Sequence, residues 1–461
     1  MPNQIVNHNK IMSSLKWADE NKNNKELITQ IMEKAKERKG LNHREALLLL
    51  TAGAEYELFA LARQLKAEFY GSRIVLFAPL YLSNHCVNGC VYCPYHASNK
   101  TMARKKLSQE EIKREVIALQ DMGHKRLVIE AGEHPVHAPI DYILESIETI
   151  YNIKHKNGAI RRVNVNIAAT TVEDYQKLHA AGIGTYILFQ ETYHRETYEA
   201  LHRAGPKSSY DWHTEAMDRA MQGGLDDVGL GVLFGLADYR YEFTALLMHA
   251  EHLETTYGVG PHTISVPRIR KAEGINTENF AHGIDDDTFT KIIACLRIAA
   301  PYTGIIVSTR ESEDCRKRAL DVGVSQISGG SRTSVGGYGE KEAIPDTEQF
   351  TVSDNRSLGE VVQWLMDIGH IPSFCTACYR EGRTGDRFME LCKSGQIQNC
   401  CHPNALMTLE EYLLDYADEN IRSQGEQLIT EEIEHIPSQR MRTLVSDHLE
   451  QIKAGSRDFR V

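Results

Sequence analysis

A closed parallel (β/α)8 barrel, with an N-terminal helical extension and a helical C-terminal domain, is the fold this 461-residue sequence predicts. Three observations carry the prediction. Eight β-rich runs recur at even spacing, seven helical segments fill the gaps, and polar residues fall at the C-terminal ends of the runs. A doubly wound open sheet is the competing arrangement; eight evenly spaced units favour closure.

Residues 1–72 read as helices. The run KELITQIMEKAKERK carries apolar residues at helical spacing and stops at Gly40, a suitable C′ residue. Asn42 opens a second helix, HREALLLLTAG, and a third covers 55–70. None carries an evident chemical group, and they are expected to pack around the barrel entrance. Residues 73–340 hold the barrel, with strands predicted over 74–82, 126–131, 163–168, 185–190, 227–234, 262–267, 304–308 and 324–328. The best-signalled helix starts after Ser108, where Glu111 completes a capping box, and stops at Gly123. Another is predicted from Asp211 to Gly223–Gly224. Residues 341–461 change character: amphipathic helices are predicted over 358–370, 386–394, 408–423 and 430–453, with the boundary in the polar stretch 340–356.

Composition narrows the class. Apolar content of 42% and charged content of 25% suit a soluble globular protein, and a net charge of −11 without a long basic run argues against nucleic acid as partner. No apolar stretch approaches the ~18 residues of a membrane span. The polar N-terminal segment lacks the apolar core of a secretory signal, so the ten cysteines read as metal ligands and free thiols in a reducing cytoplasm.

Three of those cysteines, Cys86, Cys90 and Cys93, follow the first predicted strand in the run YLSNHCVNGCVYCPY. Three thiolates this close on one loop hold three corners of a cubane iron–sulfur cluster and leave its fourth iron open to substrate. Zinc is the competing reading, with His85 or His96 as fourth ligand. A second group, Cys375, Cys378 and Cys401, has the spacing C-x2-C-x22-C; on spacing alone zinc and iron–sulfur fit it equally. Cys400 and Cys392 lie nearby without an assigned role, and Cys295 and Cys315 read as buried packing residues.

The C-x3-C-x2-C motif, with Tyr92 before its last cysteine, resembles that of the radical S-adenosylmethionine (SAM) superfamily. There the open iron chelates SAM, and its cleavage gives a 5′-deoxyadenosyl radical. The runs FCTACYREGRTGDRFM and NCCHPNALMTLEEYL, with EAGEHP, LFQETYH, DDVGLGVLFGL, GPHTISVPRIR, STRES and GGSRTSVGGY, resemble the radical SAM tyrosine lyases of iron–iron hydrogenase maturation. That resemblance covers essentially the whole barrel and tail. It implies a barrel of the radical SAM type, cleavage of the L-tyrosine Cα–Cβ bond to p-cresol and dehydroglycine, and then carbon monoxide and cyanide at an auxiliary cluster with a labile fifth iron. The product would be an Fe(CO)2(CN) synthon, with free cysteine as a bridging ligand. Other hydrogenase maturation proteins and a reductant are the expected partners.

Carried onto this chain, the resemblance gives Cys86, Cys90 and Cys93 to a 4Fe–4S SAM cluster and Cys375, Cys378 and Cys401 to the auxiliary 4Fe–4S cluster. His262, opening the sixth strand, would hold the fifth iron at the opposite mouth. Tyr92, Glu133, Glu191 and His213 are expected to hold SAM. Arg310 is expected to clamp the tyrosine carboxylate, with Tyr81, Ser328 and Arg332 as companions. The rival functions are a thiamine-pathway tyrosine lyase (2-iminoacetate synthase), which lacks the tail cysteines, a sulfur-inserting radical SAM enzyme, and a non-enzymatic iron–sulfur carrier.

Overall fold

In the computed structural model, which describes residues 5–272, 274–339 and 347–461, eight parallel strands close into a barrel. They are β1 (Arg73–Ser83), β2 (Arg126–Ala131), β3 (Arg162–Asn166), β4 (Tyr186–Glu191), β5 (Val228–Val232), β6 (Thr263–Ser265), β7 (Gly304–Val307) and β8 (Gln326–Ser328). Each pairs with the next, and β8 returns to β1 through Val75↔Gln326, Leu76↔Ile327 and Phe77↔Ser328. Burial on both faces explains why the strands read as near-continuous apolar runs; nearly every residue of β1 is buried.

β1 exceeds its predicted range at both ends, β2 matches it, β4 is shifted by one residue, and the remaining strands are shorter. The helix expected to stop at Gly40 ends at Ala35, while Ser108 and Glu111 form the expected capping box, with Gly123 left-handed at φ +102°. The helix expected from Asp211 is two, Tyr210–Thr214 and Ala216–Gln222. A short hairpin, Lys154–His155 with Gly158–Ala159, had no sequence signal.

The N-terminal helices do not ring the upper mouth as expected. They cover the outer helices of the β5–β8 side, where Leu41 N–H donates to Ala299, Arg63 pairs with Asp321, and the Tyr70 hydroxyl donates to the Tyr302 carbonyl. The predicted boundary at 340/341 lies outside the described residues.

The tail departs most from expectation. A ninth strand, β9 (Ile371–Ser373), unforeseen in the sequence, pairs in parallel with the start of β1 through Arg73↔Ile371, Ile74↔Pro372 and Val75↔Ser373. It uses the edge of β1 below the point where pairing with β2 begins, at Ala78↔Leu127. The helix expected over 408–423 is Gln398–Tyr416, which carries Cys400 and Cys401 in its first turn. The run expected over 430–453 is split between Glu419–Ile433 and Gln439–Lys453, because Asp418 and Ser438 are N-caps and Pro437 cannot continue a helix.

The tail is fastened to the barrel by charge as well as by apolar packing. Arg161, 8% exposed, places Nη2 2.7 Å from Glu411, 1% exposed, and Nε 3.2 Å from Asp458. Among the described residues no helix is long and apolar enough to cross a membrane.

Glu411→Leu is expected to leave Arg161 buried without its main partner. The cost should be about 3–5 kcal/mol, read as a lower urea midpoint with earlier proteolysis within the tail. An unchanged midpoint would mean that this ion pair does not hold the tail in place.

Candidate functional site

Two cavities open at opposite ends of the barrel. The upper one, ≈ 240 Å³, lies at the C-terminal ends of the strands and is lined by Cys86, Cys90, Cys93 and Arg310 among others. The lower one, ≈ 70 Å³, lies at the strand starts and is lined by Cys375, Cys378, Cys401 and His262. They are one inward-facing step apart. Val75 lines the lower cavity and Phe77 the upper; Arg126 and Val128 on β2, and Gln326 and Ser328 on β8, divide in the same way. Two strand residues span about 7 Å. Phe77, Val128, Ile187 and Ile306 form a separate apolar cluster at this level, with Phe189 packed on it.

The upper cysteine loop is fastened from several sides. Arg104 donates to the carbonyls of Asn84 (2.6 Å), Tyr95 (2.9 Å), His96 (2.9 Å) and Asn99 (3.1 Å). Val87 N–H donates to Glu133 O, and Gly89 N–H to Ala204 O. At Gly132 the β2 loop runs against the cysteine loop so closely that a Cβ would sit 2.5 Å from the His85 carbonyl. Burial pushes the Cys90 thiol up to about 11 and Cys93 higher still, so these sulfurs favour a bound cation over free thiolates.

Around them the structure collects the four predicted SAM residues. Tyr92 is buried, with its hydroxyl 2.7 Å from His202 Nε2. Glu133 accepts from Asn88 Nδ2 at 2.6 Å, and burial raises its pKa. Glu191 has φ +68°, a left-handed non-glycine backbone at an irregularity in the β4–β5 register, and pairs with Lys207 Nζ at 2.9 Å. Such strain clusters where a side chain must be re-aimed. His213 lies 2.9 Å from the Phe189 carbonyl through Nε2, and burial holds its pKa well below the ordinary value, so it is neutral. Lys207 and Asn88 line this cavity too; neither stands in a motif that singles it out.

Deeper in the same cavity, Arg310 is half-buried, its guanidinium 3.9 Å over the Phe350 ring, and its enclosed Nε has no hydrogen-bond partner among the described residues. The hydrogen bond its side chain does make is a long one, Nη1 to the Arg268 carbonyl at 3.4 Å. Tyr81 donates to Gln349 Oε1 at 2.9 Å, and Ser328 Oγ accepts from Thr309 N–H at 3.1 Å; both line the cavity. Arg332 departs from expectation. Its side chain is exposed and absent from the lining; only its main-chain N–H is turned inward, to the Tyr338 hydroxyl, which donates in turn to the Pro79 carbonyl of β1. Glu130, bonded to Asn166 Nδ2 at 3.1 Å, faces Arg310, and burial lifts its carboxyl to about 8.

At the lower end, β9 delivers the tail cysteines. Phe374 stacks on Tyr412 with ring centroids 4.8 Å apart, Arg126 Nη2 donates to Cys375 O at 2.8 Å, and Ala377 N–H points to Cys375 Sγ at 3.4 Å. Burial raises Cys375 to about 11, whereas S–H donors from Cys378 and Cys400 hold Cys401 down. His262 sits beside them, with its ring 4.4 Å from Phe388 and its Nε2 3.4 Å from the Tyr379 hydroxyl. Burial keeps it neutral, the form that binds a metal.

Neither cysteine triad is drawn together as a closed zinc site requires. A tetrahedral zinc with Zn–S near 2.3 Å brings its sulfurs to roughly 3.8 Å. Among the described residues only Asp286, Glu311 and Cys315 have all three ligand atoms within 4.8 Å, so neither cysteine triad is that tight. The exception is an ion-pair network: Arg268 lies 2.7 Å from Asp286 and also holds Glu311, which Arg270 holds as well.

Similarity to known proteins agrees with this geometry. A model of the radical SAM superfamily matches residues 80–242, and one of the Biotin and Thiamin Synthesis associated domain matches 265–371. The 2-iminoacetate synthase of Escherichia coli (strain K12) is 32% identical over 313 residues, 67% of this chain and 80% of that protein. The FeFe hydrogenase maturase subunit HydE of Thermotoga maritima is 27% identical over 61% of this chain and 76% of its own. A crystal structure of HydG, a maturase of the FeFe-hydrogenase, superposes with a TM-score of 0.96 at 54% identity, covering 99% of this chain and 100% of that one. HydG from Carboxydothermus hydrogenoformans gives 0.83 at 38% identity, over 97% and 99%.

Glu130 has a folded-state pKa above the ordinary value of about 4.3, so its protonated form favours the fold. That contribution is whole below the ordinary value and is lost as pH rises through about 8. Glu130→Gln should therefore flatten the decline. Between roughly pH 5 and pH 8 the variant's stability in urea is expected to gain on the parent's, by at most about 1.4 kcal/mol for each step of one in pH. Parallel pH profiles for the two proteins would count against a buried, proton-holding Glu130.

Proposed function

Since the chain belongs to the HydG family of radical SAM maturases, we propose that it cleaves the L-tyrosine Cα–Cβ bond to p-cresol and dehydroglycine, and that dehydroglycine yields carbon monoxide and cyanide in the lower cavity. The product would leave as an Fe(CO)2(CN) unit for assembly of the iron–iron hydrogenase cofactor. The observation that carries the first half is Arg310: a half-buried guanidinium whose enclosed Nε is unpartnered, in the same cavity as the Cys86–Cys90–Cys93 loop. A charge of this kind calls for an anion, and a carboxylate meets it in two parallel bonds.

In this reading Cys86, Cys90 and Cys93 hold a 4Fe–4S cluster, with Tyr92, Glu133, Glu191 and His213 around SAM. Together cluster and SAM supply one electron and the 5′-deoxyadenosyl radical. The residues of the chain do the positioning. Glu133, bonded to Asn88, would take up SAM's ammonium, and Glu191, paired with Lys207, its ribose hydroxyls. Arg310 grips the carboxylate of tyrosine and turns its amino group toward the radical. Phe77, Phe189 and Phe350 supply an aromatic lining that suits the phenol ring and excludes water. Tyr81 and Ser328 bound the same space. At the other end Cys375, Cys378 and Cys401 would hold the auxiliary cluster, and His262 the additional iron that leaves with the product.

The tail favours this over a 2-iminoacetate synthase. Cys375, Cys378, Cys401 and His262 share one cavity, and the HydG structures cover nearly the whole chain where the E. coli synthase covers 67%.

Anaerobic incubation with SAM, dithionite and tyrosine, with p-cresol, carbon monoxide and cyanide quantified together, tests the proposal. All three should form. p-Cresol without carbon monoxide would favour the synthase, and two clusters without SAM cleavage would favour a carrier. Arg310→Lys keeps the charge but loses the fork, and kcat/KM for p-cresol should drop by about 10²-fold or more. His262→Ala should leave p-cresol intact and abolish carbon monoxide; equal loss of both would argue against its assignment.

A further inference from the structure

Behind the wall of the lower cavity, against His262, lies a charge that the cysteines and His262 do not account for. Asp227, the residue before β5, is 3% exposed, and neither of its carboxylate oxygens has a hydrogen-bond partner among the described residues. Leaving a buried carboxylate without donors is costly, and a fold retains one only where something compensates it. Its nearest cation-forming neighbour is His262, whose Nδ1 lies 3.5 Å from Asp227 Oδ1. The Arg162 guanidinium and the Thr185 hydroxyl also face it. Neither bonds it: Arg162 stacks 3.7 Å over the Tyr379 ring and donates through Nη1 and Nη2 to the Gly182 and Ile183 carbonyls, with Nε left unpartnered among the described residues, and Thr185 Oγ1 is 2.9 Å from the Tyr379 hydroxyl.

The imidazole of His262 is thus held between two different groups. Nδ1 looks inward to a carboxylate, and Nε2 looks toward Tyr379, which belongs to the short helix that carries Cys378. Main-chain bonding fixes the arrangement, because His262 N–H donates to the Val228 carbonyl and Gly304 N–H to the His262 carbonyl. A histidine ligand that donates its other ring N–H to a carboxylate is locked in tautomer and direction and made more basic toward the metal. A metal on Nε2 in turn strengthens the Nδ1 donor and brings to Asp227 the positive charge its burial lacks.

We infer that Asp227 is the positioning residue for His262, holding Nδ1 protonated and turned inward so that Nε2 is presented to a divalent iron in the lower cavity. The inference rests on the reading of His262 given above and adds the group that orients it. Removing a partner of this type lowers metal affinity by roughly 10–100-fold.

The test is a ferrous-iron titration of the protein carrying both clusters, followed by the spectroscopic signal of the additional iron and by iron stoichiometry. Asp227→Asn should weaken the additional iron roughly 10–100-fold while the signals of both clusters and the rate of p-cresol formation stay as in the parent. Asp227→Glu, which keeps the charge, should recover part of the affinity. His262→Ala is the control and should lose the additional iron altogether. Parent-like affinity in Asp227→Asn, with the iron lost in His262→Ala, overturns the inference and leaves His262 standing. Parent-like affinity in His262→Ala overturns the reading of His262 itself. Loss of the auxiliary-cluster signal or of p-cresol formation in Asp227→Asn also overturns the inference, since Asp227 would then be supporting the fold or the cysteines.

Discussion

The hydrogen-bond ladder of β1 is shared among three neighbours, and both sites depend on that sharing. β8 closes the barrel along the middle of the strand, β2 takes its upper part, and β9 takes the lower edge that β2 leaves free. The upper end of β1 runs into the loop of Cys86, Cys90 and Cys93; the residues that pair with its lower end lead directly to Cys375. The inward residues Val75, Phe77, Pro79 and Tyr81 face first one cavity and then the other. One eleven-residue strand therefore sets the distance between two cysteine-bearing ends with the stiffness of a sheet, not of a linker.

Both ends are built in a state of electrostatic debt. The upper cavity contains Arg310 without an anion and thiols pushed up by burial; behind His262 at the lower one lies Asp227 without a donor. Elsewhere the fold compensates its buried charges. Arg297, fully buried, donates to the carbonyls of Pro301, Thr303 and Gly323, and Arg316 pairs with Asp354. The contrast is one of degree: Arg316 also leaves Nε unpartnered among the described residues, but Asp354 and the Ser328 carbonyl hold its other nitrogens, whereas the side chain of Arg310 makes a single long bond.

Much of this was legible in the sequence, for identifiable reasons. Barrel strands buried on both faces announce themselves as apolar runs, and Ser108, Asn42 and Gly123 punctuate the helices through capping chemistry local to a few residues. The cysteine triads were legible because metal ligation constrains spacing. What escaped was what depends on contact across the chain. β9 is three residues long and exists as a strand only because β1 offers it an edge. Arg332 reads like a substrate ligand in GGSRTSVGG, yet the turn that carries it points outward. Lys207, Asn88 and Asp227 acquire meaning from Glu191, Glu133 and His262, which lie 16, 45 and 35 positions away. The tail helices were misplaced because amphipathic periodicity continues past Asp418 and Pro437, and only the caps reveal the breaks.

The apolar layer of Phe77, Val128, Ile187 and Ile306 has a consequence for timing. It makes the barrel two compartments with a greasy septum instead of an open pipe. Under the proposed chemistry the species that must traverse it carries a carboxylate, which loses its hydration on entry, and the bulk water that would hydrolyse an imine meets the same obstacle. Transit then waits on rotation of these side chains. Leakage to hydrolysis and delivery to the far compartment are set by the same few rotamers.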